Sequence, residues 1–384
     1  MSAIYANLEE FRVNDIVRPS KVIDAPGKIY VNDDLLIIGD RGIGIHIIDN
    51  SDPTDPIPTH FLEIPGSTQL YVEGDYIYSN AYYDLLKIDI SDMDQIRIIG
   101  RMEEAFDIQY FDFQDRALIG FNREEITEEI TCDDFVWDGG TFFFDFEGTL
   151  LEDSAIPTSF ISNGGTIGTA NRMAVSGEDL FIINNNTLFS FNITDENLST
   201  HSAYGKSNHI GWNMETIYSK EDLLFIGSQN GMEIYQKATS SIEFVGSYTH
   251  ATGCDPVLPT DTGVAYITLR SGDECPGDVN SLNVVDISNI NDPFLIEEIQ
   301  MVQPFGMALI DDRLYVGEGN NGLRVFDASN RDALTEVNYY PDLSAYDIIG
   351  HPTIPDVILL ASESGLVQYD IVQDNYSPLS KILF

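Results

Sequence analysis

The chain has 384 residues, of which 43% are hydrophobic and 11% aromatic, enough to build a packed core. Its 63 acidic residues far outnumber its 19 basic ones, giving a formal net charge of −44. Such a surface repels phosphate backbones and anionic headgroups, which argues against nucleic-acid partners and bilayer-surface binding. Because the acidic residues are spread along the whole chain, we interpret them as a solubility feature. Attraction of a cationic partner or of divalent cations is the alternative.

Residues 1–21 form an N-terminal extension that precedes the first recognisable repeat. They contain acidic residues and no apolar run, so they do not match a secretory signal. No apolar stretch in the chain approaches the roughly 20 residues that a membrane-spanning helix needs. We expect the extension to add a strand at the closure of the repeat assembly or to lie over that closure.

From residue 35 onward, pairs of short apolar runs separated by a turn recur eight times. Recurrence at a fixed spacing is typical of repeat architectures. The pairs are residues 35–39 with 45–49, 76–80 with 85–89, 117–121 with 142–145, 180–184 with 188–192, 223–227 with 232–236, 264–268 with 282–286, 314–318 with 323–327, and 357–361 with 366–370.

The second run of each pair usually ends in Asp or a polar equivalent. These positions are Asp49, Asp89, Asp145, Asn192, Gln236, Asp286, Asp327 and Asp370, spaced by 40, 56, 47, 44, 50, 41 and 43 residues. A period in the low forties is typical of a four-stranded propeller blade. We expect the Asp carboxylate to accept backbone N–H groups in the following turn, a structural role.

An earlier strand and a later, looser strand flank each pair, giving the order a–b–c–d with strand a innermost. We therefore predict an all-β chain folded as a β-propeller of eight four-stranded blades. Seven blades are the alternative, because the third repeat is irregular and could be an elaborate connection. One domain over residues 22–384 follows, with an insertion at 122–140, since a blade cannot bury both its faces alone.

The stretches IHIIDNSDP, LLKIDIS, LNVVDISNINDP and LRVFDAS resemble the repeats of LVIVD-repeat proteins. Longer stretches such as GKIYVNDDLLIIG, LFIGSQNGMEIY and AYITLRSGDECPG are similar to exported Bacteroidetes-type lipoproteins that carry this repeat. The resemblance covers roughly residues 22 to 384 and is weakest over 104–168. It implies a β-propeller in the cell envelope, no established biochemical activity, and a precursor with a signal sequence and an N-terminal lipid anchor that are not seen in this chain.

The d–a and b–c connections of a propeller emerge on one face, and loop residues on a rigid scaffold are good ligand candidates. We predict ligand-binding residues in those connections, although the histidines could be merely solvated and Trp212 could pack beneath its loop. The candidates are His209, Trp212, His250, Asp255, Arg270, Tyr82 and Tyr83.

Two of the three cysteines, Cys254 and Cys275, fall on that face of the sixth repeat. A zinc site completed by His250 is one reading, but the close Cys spacing of such sites is missing. A disulfide that pins the long loop to the rim fits better in an exported protein. Cys132 lies in another loop and is expected to be a free thiol.

The insertion at 122–140 is rich in Glu and Asp around Phe135 and Trp137. An acidic, aromatic flap over the channel could gate a cationic ligand or hold a partner; a solvated excursion is the other reading. The run at 49–60 lacks the Gly and the final Glu of an EF-hand, so no metal site is predicted. The sequence indicates no cofactor, with calcium held by the acidic surface as a weaker hypothesis.

These observations lead to two functions of different classes. The first is a non-enzymatic binding or scaffolding propeller at the cell surface, whose ligand is a protein, a glycan or a small molecule. The alternative is an enzyme, a hydrolase or lyase acting on a carbohydrate or other small substrate. It would use residues at the channel mouth such as His209, Glu215, His250 and Asp255. Convergence of those side chains in one deep pocket would favour the enzyme.

Overall fold

The structure is a computed structural model, and it describes residues 2–106, 112, 114, 116–122, 172–184, 187–194, 198–200, 214–238, 241–253, 256–272, 277–372 and 375–384. Apart from a short 3-10 helix at Leu8–Phe11, its regular elements in these residues are strands. None of the helical residues described forms a segment long and apolar enough to span a membrane.

The strands are β1 Ser2–Ala6, β2 Val17–Pro19, β3 Pro26–Asn32, β4 Leu35–Asp40, β5 Gly44–Asp49, β6 Ile57–Glu63, β7 Leu70–Glu73, β8 Tyr76–Ala81, β9 Asp84–Asp89, β10 Arg97–Met102, β11 Ala117–Asn122, β12 Met173–Ser176, β13 Asp179–Asn184, β14 Thr187–Asn192, β15 Ser199–Thr200, β16 Met214–Lys220, β17 Leu223–Ser228, β18 Gly231–Lys237, β19 Ile242–Thr249, β20 Val257–Pro259, β21 Val264–Leu269, β22 Ser281–Asp286, β23 Phe294–Gln300, β24 Met307–Ile310, β25 Arg313–Gly317, β26 Leu323–Asp327, β27 Thr335–Tyr340, β28 Asp347–Gly350, β29 Val357–Ser362, β30 Gly365–Asp370 and β31 Ser377–Ile382.

Consecutive strands pair antiparallel into seven blades. Blade 1 consists of β2 to β6, with β2 as a fifth, outermost strand beside β6; the other blades have four strands each. They are blade 2 (β7–β10), blade 3 (β12–β15), blade 4 (β16–β19), blade 5 (β20–β23), blade 6 (β24–β27) and blade 7 (β28–β31). The first strands of neighbouring blades approach one another and form the inner wall, as the sequence predicted.

Because each blade is an antiparallel meander, its d–a and b–c connections lie on one side of the ring. We call that side the upper face, and the side of the a–b and c–d connections the lower face. The innermost strand of every blade starts at the upper face and runs down the central channel. Residues at the start of strand a and at the end of strand b therefore surround the upper mouth of the channel.

The blade count corrects the sequence prediction. Blade 2 packs directly on blade 3, which contains the fourth sequence repeat: Lys87 Nζ donates to the carbonyl of Ile193 at 2.7 Å. The ring of Phe106, which follows blade 2, contacts Phe189 and Phe191 of blade 3. The strand of the third repeat, β11, pairs with the N-terminal β1 in a separate two-stranded sheet. The prediction of eight blades is therefore wrong, and the seven-bladed alternative is confirmed.

Burial along the strands explains why the b and c runs dominated the sequence pattern. In β4, β5, β8, β9 and β21, nearly every residue is buried, because both faces of these strands are covered by neighbouring blades. Strands buried on both sides have continuous rather than alternating apolar sequences. Outer strands such as β23 are mostly exposed and have correspondingly mixed sequences.

The recurring Asp after strand c has the structural role that was predicted. Its side-chain oxygen accepts the backbone N–H two residues later, at 2.8–3.1 Å, and so fixes the c–d turn. This bond occurs at Asp49, Asp89, Asn192, Asp286, Asp327 and Asp370. A bond from the Ser288 hydroxyl, together with this backbone bond, lowers the pKa of Asp286.

The N-terminal extension is fastened along the edges of blades 1 and 2. Its Phe11 ring packs edge-on against Tyr82, and Arg12 forms an ion pair with the buried Asp84 at 3.0 Å. Arg101 of blade 2 holds the same carboxylate and also donates to the carbonyl of Val13. The extension contributes β2, which lies at the outer edge of blade 1 beside β6.

Blades 1 and 7 close the ring. Because each of them is built from consecutive strands, no strand is shared between them, and the joint between the two ends of the chain is made by side chains. At its centre, apolar residues of β3 and β4 pack on those of β28 and β29. Below them, the buried amides of Asn50 and Gln368 exchange hydrogen bonds of 3.0 and 2.6 Å. Gln368 also donates to the carbonyl of Pro53, which accepts the Ser380 hydroxyl as well.

The substitution Gln368→Met tests whether this amide pair secures the ring. It leaves the buried Asn50 oxygen without its donor and the Asn50 Nδ2 with only its 3.4 Å contact to His351, so we expect the free energy of unfolding to fall by about 2 kcal/mol. Urea titration of the full chain provides the measurement. The matched control is Gln236→Met on the exposed end of β18, for which we expect a change of about 0.5 kcal/mol or less. Equal effects of the two substitutions would contradict the closure role.

Candidate functional site

The structure describes four of the seven predicted ligand-binding residues, namely Tyr82, Tyr83, His250 and Arg270. All four lie on the upper face, at the ends of strands or in the connections. His209, Trp212 and Asp255 fall outside the described residues, as do Cys254, Cys275 and Cys132 and positions 123–140 of the insertion. The disulfide and the acidic flap therefore stay predictions.

Arg270 is the predicted residue with the most developed surroundings. It follows β21 of blade 5, is 8% exposed, and places its guanidinium over the ring of Phe305 at 4.4 Å from the centroid. The Phe305 ring in turn meets Tyr346 edge-on, with centroids 4.7 Å apart. A cation stacked on an aromatic face is favourable and orients both groups. The row therefore crosses three blades, since Phe305 leads into blade 6 and Tyr346 into blade 7.

Hydrogen bonds fix the far end of this row. The Tyr346 hydroxyl donates to the carboxylate of Glu363 at 2.6 Å, and the Asn320 amide donates to the same oxygen at 3.0 Å. Ser344 donates to Asn320 and completes the chain of contacts. Burial, followed by the neighbouring Glu363, raises the pKa of Tyr346 well above its ordinary value, so this phenol stays protonated.

The backbone around the row leaves little freedom. Gly319 has a φ of +56°, and a Cβ there would lie 2.7 Å from the Phe305 ring and 3.0 Å from Tyr346. Phe305 is held through its own backbone, which donates to Gly317 and accepts from the Thr268 hydroxyl at 2.9 Å. A glycine is thus required for the loop of blade 6 to pass beneath the two aromatic rings.

Tyr82 and Tyr83 make contacts that hold the chain together. The Tyr83 hydroxyl is buried and donates to the carbonyl of Leu118 in β11 at 2.7 Å. Tyr82, at a φ of +52°, packs on Phe11 and against Gly66. Both residues therefore anchor segments outside the blades, and their role toward a ligand stays a prediction.

His250 lies just after β19 in blade 4. Its Nδ1 is 2.6 Å from the carbonyl of Ala251, and its ring is tilted against Tyr248. Burial lowers the pKa of His250, which favours the neutral imidazole near pH 7. In this arrangement Nδ1 carries the proton, donates it to the carbonyl, and leaves Nε2 as the acceptor.

Sequence reasoning missed a buried ionisable pair at the channel mouth. Lys28 in the innermost strand of blade 1 is 6% exposed, and Asp347 at the start of the innermost strand of blade 7 is 1% exposed. Burial, helped by the positive charge of Arg172, lowers the pKa of Lys28 to about 7, with Asp347 acting in the opposite direction. Burial also raises the pKa of Asp347 well above its ordinary value.

The neighbouring blade makes room for the Asp347 carboxylate. A Cβ on Gly306, which precedes β24, would lie 2.1 Å from Asp347 Oδ1. Neither carboxylate oxygen has a side-chain hydrogen-bond partner. Polar residues at the start of strand a, in GKIYV and in AYDIIG, were the available signal. The repeat pattern assigned those positions to an inner strand without giving their partners.

We expect Asp347→Asn to stabilise the protein at neutral pH. In the unfolded chain the Asp347 carboxyl ionises above about pH 4, whereas in the folded protein its raised pKa keeps it protonated to higher pH. Ionisation therefore favours the unfolded state. The cost is therefore absent at pH 3, grows as the pH rises, and reaches its full size above the folded pKa. Removing it should add about 1 kcal/mol or more near pH 7.

Denaturant titrations at pH 3, 5 and 7 measure this difference. The control is Asp356→Asn, an exposed residue in the a–b turn of the same blade. A loss of stability for Asp347→Asn at pH 7 would mean that the ionised carboxylate supports Lys28, and it would contradict the prediction.

In the described part of the chain, no group of three or more His, Cys, Asp or Glu side chains could hold a metal ion. The calcium hypothesis therefore has no described site to refer to and stays untested. The described residues of the enzyme hypothesis, Glu215 and His250, lie at the entry to strand a and at the exit from strand d of blade 4.

Part of the chain matches a known repeat family. The LVIVD-repeat family model matches residues 275–300 and 307–342, which lie in blades 5 and 6. No curated protein sequence matches the chain.

Solved structures match over nearly the whole length. A functionally unknown protein from Desulfotomaculum acetoxidans has a TM-score of 0.57 and 9% identity, covering 91% of this chain and 95% of its own. Sqt1 of Chaetomium thermophilum, bound to the N-terminus of ribosomal protein L10, has a TM-score of 0.55 and 11% identity, covering 97% and 91%. The computationally designed Ika8 protein has a TM-score of 0.55 and 9% identity, covering 92% and 86%.

At these identities the likeness to solved structures concerns the fold alone. The family match and the observed sheets agree with each other, since 307–342 contains all four strands of blade 6 and 275–300 contains the last two strands of blade 5. The chain is thus a seven-bladed β-propeller of four-stranded blades that carries LVIVD repeats.

Proposed function

We propose that the protein is a non-enzymatic binding or scaffolding propeller displayed at the cell surface, which receives its ligand on the upper face. The observation that carries this proposal is the row of Arg270, Phe305 and Tyr346. Three separate blades contribute to it, the stacking of Arg270 on Phe305 orients one end, and a hydrogen bond to Glu363 fixes the Tyr346 end. A preformed array of this kind favours recognition because little side-chain freedom is lost on binding.

The chemistry of the row favours binding over catalysis. Arg270 is always charged and is stacked on the Phe305 ring, which contacts Tyr346. The protonated phenol of Tyr346 is bonded to Glu363. Aromatic and arginine side chains are typical of binding hot spots, and this combination suits a protein segment or a glycan. The similarity of Sqt1 adds an example of this architecture with a bound protein segment.

A glycan and peptide panel probed with the purified full chain tests the proposal. We expect binding to at least one class of ligand, and we expect Arg270→Gln and Phe305→Leu each to weaken it about tenfold or more. Thermal midpoints confirm that both variants are folded. The control is Arg97→Gln, an exposed residue that pairs with Asp89 at the lower face. Binding that responds only to Arg97, or turnover of a bound glycan during long incubation, would overturn the proposal.

The cell-surface location is the second part of the proposal, and the resemblance to exported LVIVD-repeat lipoproteins supports it. We expect the protein expressed from its own gene in its native host to appear in the envelope fraction. We also expect protease added to intact cells to degrade it. A cytoplasmic marker protein in the same cells serves as the control. Recovery with the marker in the soluble fraction, protected from protease, would contradict the location and leave the binding face untouched.

A further inference from the structure

Two arginines at the upper mouth of the channel have no carboxylate partner among the residues that the structure describes, in a protein with a large excess of acid. Most described basic side chains form an ion pair with a carboxylate: Arg12, Arg18, Lys21, Arg97, Arg101, Arg116, Lys220, Lys237, Arg324 and Arg331. Arg41 and Arg172 are outside this set, although 63 acidic residues are available in the chain. Within the described ranges, neither guanidinium forms an ion pair with a carboxylate.

Arg41 belongs to the upper connection of blade 1. It follows β4, and its backbone N–H donates to the carbonyl of Ala25 at 2.8 Å. Its side chain crosses the start of the innermost strand, where a Cβ on Gly27 would lie 3.0 Å from its Cγ. Its Nε is buried and has no acceptor. A buried N–H without an acceptor is costly, so such a donor in a folded protein needs an explanation.

Arg172 stands at the start of the innermost strand of blade 3. Its carbonyl accepts the N–H of Ile183 at 2.8 Å, which fixes its backbone at the mouth. Its charge reaches Lys28 of blade 1, because it helps to lower the pKa of that lysine. β7 of blade 2 contacts both β3 of blade 1 and β12 of blade 3, so Arg41 and Arg172 lie at the upper mouth on either side of blade 2.

Blade 2, between them, contributes an acceptor. Gln69 immediately precedes β7, and its backbone N–H is fixed by the Asn80 side chain at 2.8 Å. Its side-chain oxygen is buried and has no donor. The upper mouth thus combines unpaired positive charge on blades 1 and 3 with an unfilled acceptor on blade 2.

We propose that this mouth binds a small hydroxy acid, whose carboxylate is held by Arg41 and Arg172 and whose hydroxyl donates to Gln69. The guanidinium group has the donor geometry that matches a carboxylate. A singly charged ligand suits a protein of net charge −44 better than a dianion, because the overall field opposes each added negative charge. This inference rests on the proposed binding function and specifies a ligand class for the same face.

The experiment uses galacturonate as the probe and galactose as its neutral counterpart, which lacks only the carboxylate. Calorimetry and thermal shifts at matched ionic strength should detect galacturonate and not galactose. Arg41→Gln and Arg172→Gln should each weaken binding about tenfold or more, and the Lys variants at both positions should bind with intermediate strength. A third arm with inorganic phosphate separates a carboxylate site from a general anion site.

Arg313 supplies the matched control. It is also outside the set of paired bases, and its Nη1 is buried without an acceptor, but it lies at the lower end of β25. Arg313→Gln should leave galacturonate binding unchanged. Binding that survives the loss of both Arg41 and Arg172 would overturn the inference, as would equal binding of galactose or tighter binding of phosphate.

The proposed hydroxy-acid site is also contradicted if galacturonate, gluconate and lactate all leave the thermal midpoint unchanged up to about 50 mM. The outcomes stay distinguishable from those of the proposed function. A panel ligand that depends on Arg270 and Phe305 and not on Arg41 and Arg172 would sink this inference alone. If no ligand of the panel shows binding that depends on Arg270 while galacturonate still binds, the proposed site at Arg270 and Phe305 would be wrong instead.

Discussion

Every blade of this protein has two apolar faces, and the ring is the arrangement that covers both of them. Apolar clusters between successive blades accordingly run around the whole circle. The joint between blades 1 and 7 differs from the rest because the chain does not cross it. If blades 1 and 7 separated, one apolar face of each blade would be exposed to water. The amide pair of Asn50 and Gln368 therefore fixes the register of a joint that covalent connectivity does not enforce.

The same reasoning explains how much of the fold the sequence could predict. Strands b and c are buried on both sides, so their apolar runs and the turn-forming Asp that follows them repeat visibly. Their period was enough to predict a propeller. The number of blades depended on which strand pairs with which, and a local pattern does not contain that information. Ala117–Asn122 has the sequence of a strand b, yet it pairs with Ser2–Ala6. The interval of 56 residues between Asp89 and Asp145, longer than all the others, was the feature of the sequence that indicated an irregular third repeat.

The candidate site shows the same division. Arg270 could be placed on the upper face because its loop position follows from the order of strands within one repeat. Its partners Phe305 and Tyr346 could not be predicted, since they come from the next two blades. Lys28 and Asp347 were missed for a related reason. Their proximity is created only when the last blade meets the first, and a polar residue at the start of strand a does not by itself identify its partner.

The distribution of charge separates the two faces of the ring. The a–b turns and c–d loops of the lower face contain many carboxylates, and the bases among them, such as Lys237 and Arg331, are paired across blades with Asp179 and Asp286. At the upper mouth, Lys28 and Asp347 are buried with unfavourable pKa shifts, and Arg41 and Arg172 lack carboxylate partners. Ion pairs thus join neighbouring blades at the lower face, whereas at the upper mouth the burial of the Asp347 carboxyl opposes folding at neutral pH. Stability alone would not retain an Arg41 Nε that is buried without an acceptor, and the hydroxy acid proposed above would lie at this opening.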